Sequence, residues 1–215
     1  WRYDSLSKIS EELKPQRNQL RLEFGIPENS LVILYCGRLS SEKNLFHLVD
    51  SYHRLDHDGK SLIFVGDGDL RQSLHNHVED LGAESVRFFG FQNRSQISKF
   101  YTISDVLVLA SVRETWGIVV NEAMCFGLPV IVSRQVGAGF DLVSNGENGY
   151  SVEIDGESLF LSMKQISELS QEERSQMGIR SVDTINEWAG RDLAGLLVKY
   201  VESVKGKQYA RKADN

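Results

Sequence analysis

The chain is poor in proline and cysteine, with three and two in 215 residues. Cys36 ends one apolar run and Cys125 lies inside another, a pattern with neither metal-ligand spacing nor a disulfide framework. Both read as buried free thiols, which suits a reducing compartment, the cytoplasm. No apolar run approaches the ~18 residues that suggest a membrane span. The opening Trp1-Arg-Tyr-Asp-Ser is not a signal peptide, and without an initiator Met the chain reads as a piece of something longer. An excess of basic charge is also lacking. Lys and Arg total 24 against 30 Asp and Glu, a net charge of −6, which argues against a general nucleic-acid surface. The dinucleotide fingerprint G-x-G-x-x-G is missing too. After the first apolar run stands Gly37-Arg-Leu-Ser-Ser-Glu, which weakens a dehydrogenase reading.

What is present is a strand–helix rhythm. Leu31–Cys36, Leu62–Val65, Val86–Phe89, Asp105–Leu109, Pro129–Val132 and Tyr150–Ile154 are short apolar runs of strand length. Between them lie helical patterns such as Leu45, Leu48, Val49, Tyr52 and Leu55. Strands that alternate with helices, and are apolar on both faces, predict a doubly wound α/β parallel sheet of about six strands with helices on both faces. Residues 1–26 read as a polar lead-in with a short helix near Gln16–Phe24. Residues 27–205 form the domain, and 206–215 a frayed, charged tail. The C-terminal part is helical: Gly156–Leu169, then a helix opened by the capping box Ser170-Gln-Glu-Glu173, then an amphipathic run through Ala189, Leu193, Leu196, Leu197, Tyr200 and Val204.

In an open α/β sheet, ligands bind beyond the C-terminal ends of the strands. Arg38 and Lys43 follow the first strand, Gly66-Asp-Gly68 the second and Gly90-Phe-Gln-Asn93 the third. Arg38 and Lys43 are local cations suited to phosphate, or else two solvated loop charges. Gly37 leaves room for close backbone approach. Gly66-Asp-Gly68 reads equally as a plain turn, and Gly137-Ala-Gly139 as a flexible loop after the fifth strand or a turn only. After the fourth strand, Glu114 and Glu122 bracket a loop, Glu114–Gly117, and the start of an apolar helix. A helix N-terminus favours an anion, whereas carboxylates grip neutral hydroxyls. A nucleotide sugar offers both chemistries. The plainer alternatives are an exposed Glu114 and a Glu122 that complements the helix dipole.

These landmarks, in this order, resemble the C-terminal, donor-binding half of the group 1 (family 4) glycosyltransferases of GT-B fold. The motifs are Gly37-Arg-Leu-Ser-Ser-Glu-Lys43, Val65-Gly-Asp-Gly68, Phe89-Gly90, Ser104-Asp-Val106, Glu114 to Pro129, Gly146-Glu-Asn-Gly149 and Trp188. The resemblance implies a Rossmann-like domain that is one half of that fold. It implies metal-independent transfer of a hexose, with retention, from a nucleotide-diphosphate sugar such as a UDP- or GDP-hexose, and no cofactor. Arg38, Lys43 and Glu114 would be catalytic, the two cations on the diphosphate and Glu114 near the reacting carbon of the sugar. Glu122 would take the ribose hydroxyls. The backbone at Thr115, Trp116, Gly117 and Ile118 would meet sugar and phosphate, Gly37 and Gly66 would line the donor site, and Phe91 and Gln92 would border the base. The acceptor would be held by a missing N-terminal domain, leaving this fragment alone inactive, with room for peripheral membrane association of the full enzyme through that domain. Two rivals stand beside this reading: a nucleotide-sugar epimerase of the same architecture, and a nucleotide-binding or interaction module without transfer activity.

Overall fold

The computed structural model describes residues 3–83 and 85–191, with the side chains of Asp4 and Arg94 left aside. Six strands form one parallel sheet: β1 Leu31–Cys36, β2 Lys60–Val65, β3 Val86–Phe88, β4 Val106–Leu109, β5 Val130–Ser133 and β6 Gly149–Val152. The spatial order is β3-β2-β1-β4-β5-β6, with register set by pairs such as Ile33 with Leu62 and Ile33 with Val106. Every residue of β1, β4 and β5 is buried, whereas β3 and β6, at the sheet's edges, are only partly so. Burial on both faces explains why the central strands read as unbroken apolar runs.

The helices are α1 Tyr3–Leu13, α2 Arg17–Glu23, α3 Leu45–Arg54, α4 Arg71–Asp80, α5 Arg94–Ile103, α6 Ile118–Cys125, α7 Gly137–Leu142, α8 Gly156–Glu168 and α9 Gln171–Ala189. The face read from the period of α3 is the buried one: Leu45, Leu48, Val49 and Tyr52. The capping box at Ser170 and Glu173 opens α9. The chain turns back between β3 and β4, so the strand order reverses between β1 and β4. Outside the C-terminal ends of those two strands lies the crevice that such a reversal creates.

Two expectations are corrected. Residues 3–26, read as part of a polar lead-in with one short helix, carry two helices. The segment forms α1 and α2, joined by a short 3-10 turn at Lys14–Gln16, and α1 packs on α5 and α6. Leu6, Leu20 and Ile26 join the common core. The spacing of Tyr3, Leu6, Ile9 and Leu13 already carried an amphipathic helix, masked by the polar residues between them. Gly137-Ala-Gly139 is not a flexible loop but the first turn of α7. Ala189 closes α9, whereas the run from Leu193 to Val204 and the tail at 206–215 lie outside the described residues.

At the N-terminal end of the sheet, Arg17 and Arg21 grip Asp105, at 2.7 and 2.8 Å. Arg21 also donates to the carbonyls of Ile103, Glu28 and Ser30, and Asp105 accepts the Val32 N–H. This ties the approach to β1 to the approach to β4.

Candidate functional site

The loops that follow β1, β2 and β3 are laced together by backbone hydrogen bonds. The Gly37 N–H donates to the Val65 carbonyl, and the Gly66 N–H to that of Gly90. A Cβ on Gly66 would lie 1.9 Å from the Gly37 carbonyl oxygen, so Gly66 is required by the close approach of the two loops whatever binds there. The buried Tyr35 hydroxyl donates to the Arg38 carbonyl at 2.7 Å and fixes the loop leaving β1. Burial, joined by the nearby Cys36, Glu114 and Glu42, pushes that phenol far up, so it stays a donor.

Across the crevice, the Lys43 ammonium meets the Glu114 carboxylate at 2.6 Å. The side chains are 15% and 23% exposed, so each ion is sheltered yet reachable. The Val112 N–H donates to the Glu42 carbonyl, holding the β1 and β4 loops together beside this pair. The Glu114 loop is pinned from the other side as well. The Gly137 and Ala138 N–H groups donate to the Glu114 and Trp116 carbonyls. A Cβ on Gly137 would lie 2.1 Å from the Thr115 carbonyl oxygen, so only glycine permits this docking of α7.

Helix α6 begins at Ile118, after Gly117 in the left-handed conformation (φ 88°), and no side chain caps it. The first N–H groups of a helix have no partner within it. A pinned carboxylate, a lysine and an uncapped helix start therefore share one edge of the crevice. Trp116 leans back from it: its indole N–H donates to the buried Asn121, and its ring lies 5.3 Å from that of Trp188. Asn121 donates in turn to the Tyr3 hydroxyl, which joins the N-terminal helix to the site loop.

Glu122, one turn into α6, is half-buried and accepts a hydrogen bond from the Tyr101 hydroxyl at 2.7 Å. Arg38 does not reach Lys43 or Glu114. It is 67% exposed and pairs with Asp69 at 3.0 Å. Phe91 is 79% exposed, and Gln92 folds back to donate to the Phe89 carbonyl. Both follow β3, two strands from β1, or about 10 Å at the usual strand spacing. Thr115 and Ile118 are exposed beside Glu114 and the start of α6. Sequence reasoning missed Tyr35, Tyr101 and Asn121. Polar groups inside apolar segments were the only signal for them.

A cavity of about 450 Å³ lies at the other end of the sheet, bordered by Lys14, Arg17, Asp105, Pro129 and Arg174. Its arginines are largely engaged within the fold, although the buried Nε of Arg174 has no hydrogen-bond partner among the described residues. Arg17 holds the Thr102 and Ser104 carbonyls as well as Asp105, and Arg174 donates to the Leu169 carbonyl. The chemistry read from the sequence is not there.

Residues 16–181 match the family model "Glycosyl transferases group 1". An uncharacterized glycosyltransferase of Methanocaldococcus jannaschii is 32% identical over 151 residues, which are 69% of this chain and 37% of that one. A lipopolysaccharide core biosynthesis glycosyltransferase of Rhizobium meliloti is 33% identical over 148 residues, 68% of this chain and 42% of that one. The chain thus spans less than half the length of these relatives. HepE of Anabaena, solved with UDP and glucose, shares the fold with a TM-score of 0.73 at 24% identity, over 89% of this chain and 52% of that one. A C-terminal domain of a group 1 family protein of Francisella tularensis does so with a TM-score of 0.71 at 20% identity, over 80% of this chain and 91% of that one. Loops, strand order and sequence thus converge, and the chain belongs to the group 1 glycosyltransferases.

Proposed function

We propose that this chain is the donor-binding half of a glycosyltransferase that moves a hexose from a nucleotide-diphosphate sugar to an acceptor, with retention and without a metal. The observation that carries the reading is the Lys43–Glu114 pair, 2.6 Å apart where the strand order reverses, beside the uncapped start of α6. Support also comes from HepE, solved with UDP-glucose, and from the good coverage of a solved C-terminal domain. The remainder of the longer relatives leaves room for an acceptor-binding domain.

On this reading Lys43, with Arg38 swung from Asp69, meets the diphosphate, joined by the N–H groups at the start of α6. Negative charge grows on the diphosphate as the sugar–oxygen bond breaks, and donors already in place stabilise it without reorganising. Glu114, held by Lys43 and α7, addresses the sugar near its reacting carbon, and Glu122 takes the ribose hydroxyls. Phe91 offers an exposed ring to the base. Among the described residues, no group of three or more His, Cys, Asp and Glu side chains is gathered for a metal. The reading assigns the positive charge to Lys43, Arg38 and α6 instead, and calls for no cofactor.

No helix among the described residues is long and apolar enough to cross a membrane. We place the protein in the cytoplasm, where Cys36 and Cys125, both buried, would stay reduced.

The test is calorimetric titration of the chain with UDP, GDP and ADP, followed by a transfer assay. One nucleoside diphosphate should bind, and the chain alone should transfer little or no sugar. Failure of all three to bind at millimolar concentration would favour an interaction module without donor chemistry.

A further inference from the structure

Tyr101 lies on α5 and is 1% exposed. Its hydroxyl is 2.7 Å from a carboxylate oxygen of Glu122 and 3.7 Å from the sulfur of Cys36 at the end of β1. A hydroxyl has one proton to give. Its acceptors here are a carboxylate at the distance of a charge-assisted bond and a distant, weakly accepting sulfur, so the proton goes to Glu122. The Tyr101 ring is fixed on one side by Phe126, with centroids 5.4 Å apart. Burial, reinforced by the neighbouring Cys36 and the carboxylate of Glu122, drives the phenol well above its ordinary value, so it remains a donor across the working pH range.

A buried tyrosine needs some hydrogen-bond partner, and a backbone carbonyl would serve. This one instead meets the half-buried carboxylate on the crevice-facing helix. From the geometry we infer that Tyr101 is a positioning residue: it holds the Glu122 carboxylate in the one orientation that can accept both hydroxyls of a nucleotide's ribose. This rests on the proposed role of Glu122 and goes beyond it. An ionised carboxylate has about four lone-pair sites, and the bond from Tyr101 occupies one of them. The carboxylate is then set before the ligand arrives, and ribose binding does not have to immobilise it.

The test compares the affinity of the chain for UDP with that for 2′,3′-dideoxy-UDP, and for GDP with 2′,3′-dideoxy-GDP. These are measured by calorimetry in the wild type, Glu122→Gln, Tyr101→Phe and the double variant. The wild type should prefer the ribonucleotide at least about tenfold, and Glu122→Gln should abolish the preference. Tyr101→Phe, which removes one atom, should cut it about fivefold by weakening the ribonucleotide alone, and should have no further effect in the Glu122→Gln background. A purely packing role would weaken both members of each pair equally. Unchanged preference in Tyr101→Phe, with the preference lost in Glu122→Gln, would overturn the positioning role and leave the Glu122 assignment standing. Lack of preference in the wild type, or its survival in Glu122→Gln, would overturn both. A readout free of substitutions is the hydroxyl proton of Tyr101 in NMR of the wild type. It should shift on addition of the bound ribonucleotide and shift less with the dideoxy analogue, and equal shifts would contradict the proposal.

Discussion

The two ends of the sheet both bring basic side chains to carboxylates, and they do so in opposite ways. At the N-terminal end, Arg21 is 4% exposed and its guanidinium is spread over Asp105 and the carbonyls of Glu28, Ser30 and Ile103, while Arg17 binds the same carboxylate and two more carbonyls. At the C-terminal end, Lys43 has a single carboxylate partner among the described residues, Arg38 lies in solvent on Asp69, and Glu122 is held by a tyrosine. A saturated cluster has little left to offer a ligand and acts on the fold. A sparse one keeps donors and acceptors in reserve and acts on whatever enters the crevice. A cavity of about 450 Å³ sits at the saturated end, so the presence of a cavity alone is a poor guide to chemistry here.

If this contrast is right, substitutions should separate cleanly into losses of stability and losses of binding. The largest effect should come from Arg21→Ala. It leaves several carbonyls without their donor and Asp105 with Arg17 and the Val32 N–H alone, and the loss of one member of a buried pair costs about 3–5 kcal/mol. Urea denaturation should show that loss, with nucleotide affinity of the folded fraction unchanged. Lys43→Ala comes next. Assayed in an enzyme that includes the acceptor-binding half, it should raise the barrier by roughly 2–4 kcal/mol, with a much smaller change in the urea midpoint than Arg21→Ala. Unchanged turnover and donor affinity would remove Lys43 from the mechanism. The smallest stability effect should be that of Arg38→Ala, because an exposed ion pair contributes only about 0–1 kcal/mol. Its nucleoside diphosphate affinity should nevertheless fall about tenfold, as loss of a hydrogen bond to a charged group implies. A fall in stability without a fall in affinity would place Arg38 with the structural cluster instead.

Much of this was legible in the residues. The buried strands announce themselves as Leu31–Cys36 and its counterparts, because a strand covered on both faces has no polar positions to interrupt it. The order of loops then put Lys43 and Glu114 at the same edge, and the structure brings them into contact. Other features depend on distances that no local pattern encodes. The α1 helix was hidden because its apolar stripe is narrow and its neighbours polar, and only docking against α5 and α6 fixes it. Arg21 and Asp105 stand 84 positions apart, and Tyr101 and Glu122 belong to different helices. The role of Gly137 as the seat of the Glu114 loop follows from the close docking of its backbone on Thr115, where an added Cβ would lie 2.1 Å from the carbonyl oxygen, and in sequence it looks like any flexible glycine. Arg38 follows β1, but its direction depends on Asp69 in the next loop.

The central claim is that the crevice beyond β1 and β4 is a donor site. The most direct measurement is a crystal structure of this chain with the nucleoside diphosphate that binds best. The account predicts the diphosphate on Lys43 and Arg38 at the start of α6, the ribose diol on Glu122 and the base against Phe91. A nucleotide seated instead in the cavity beside Arg17 and Arg174, with Lys43 still on Glu114, would contradict it.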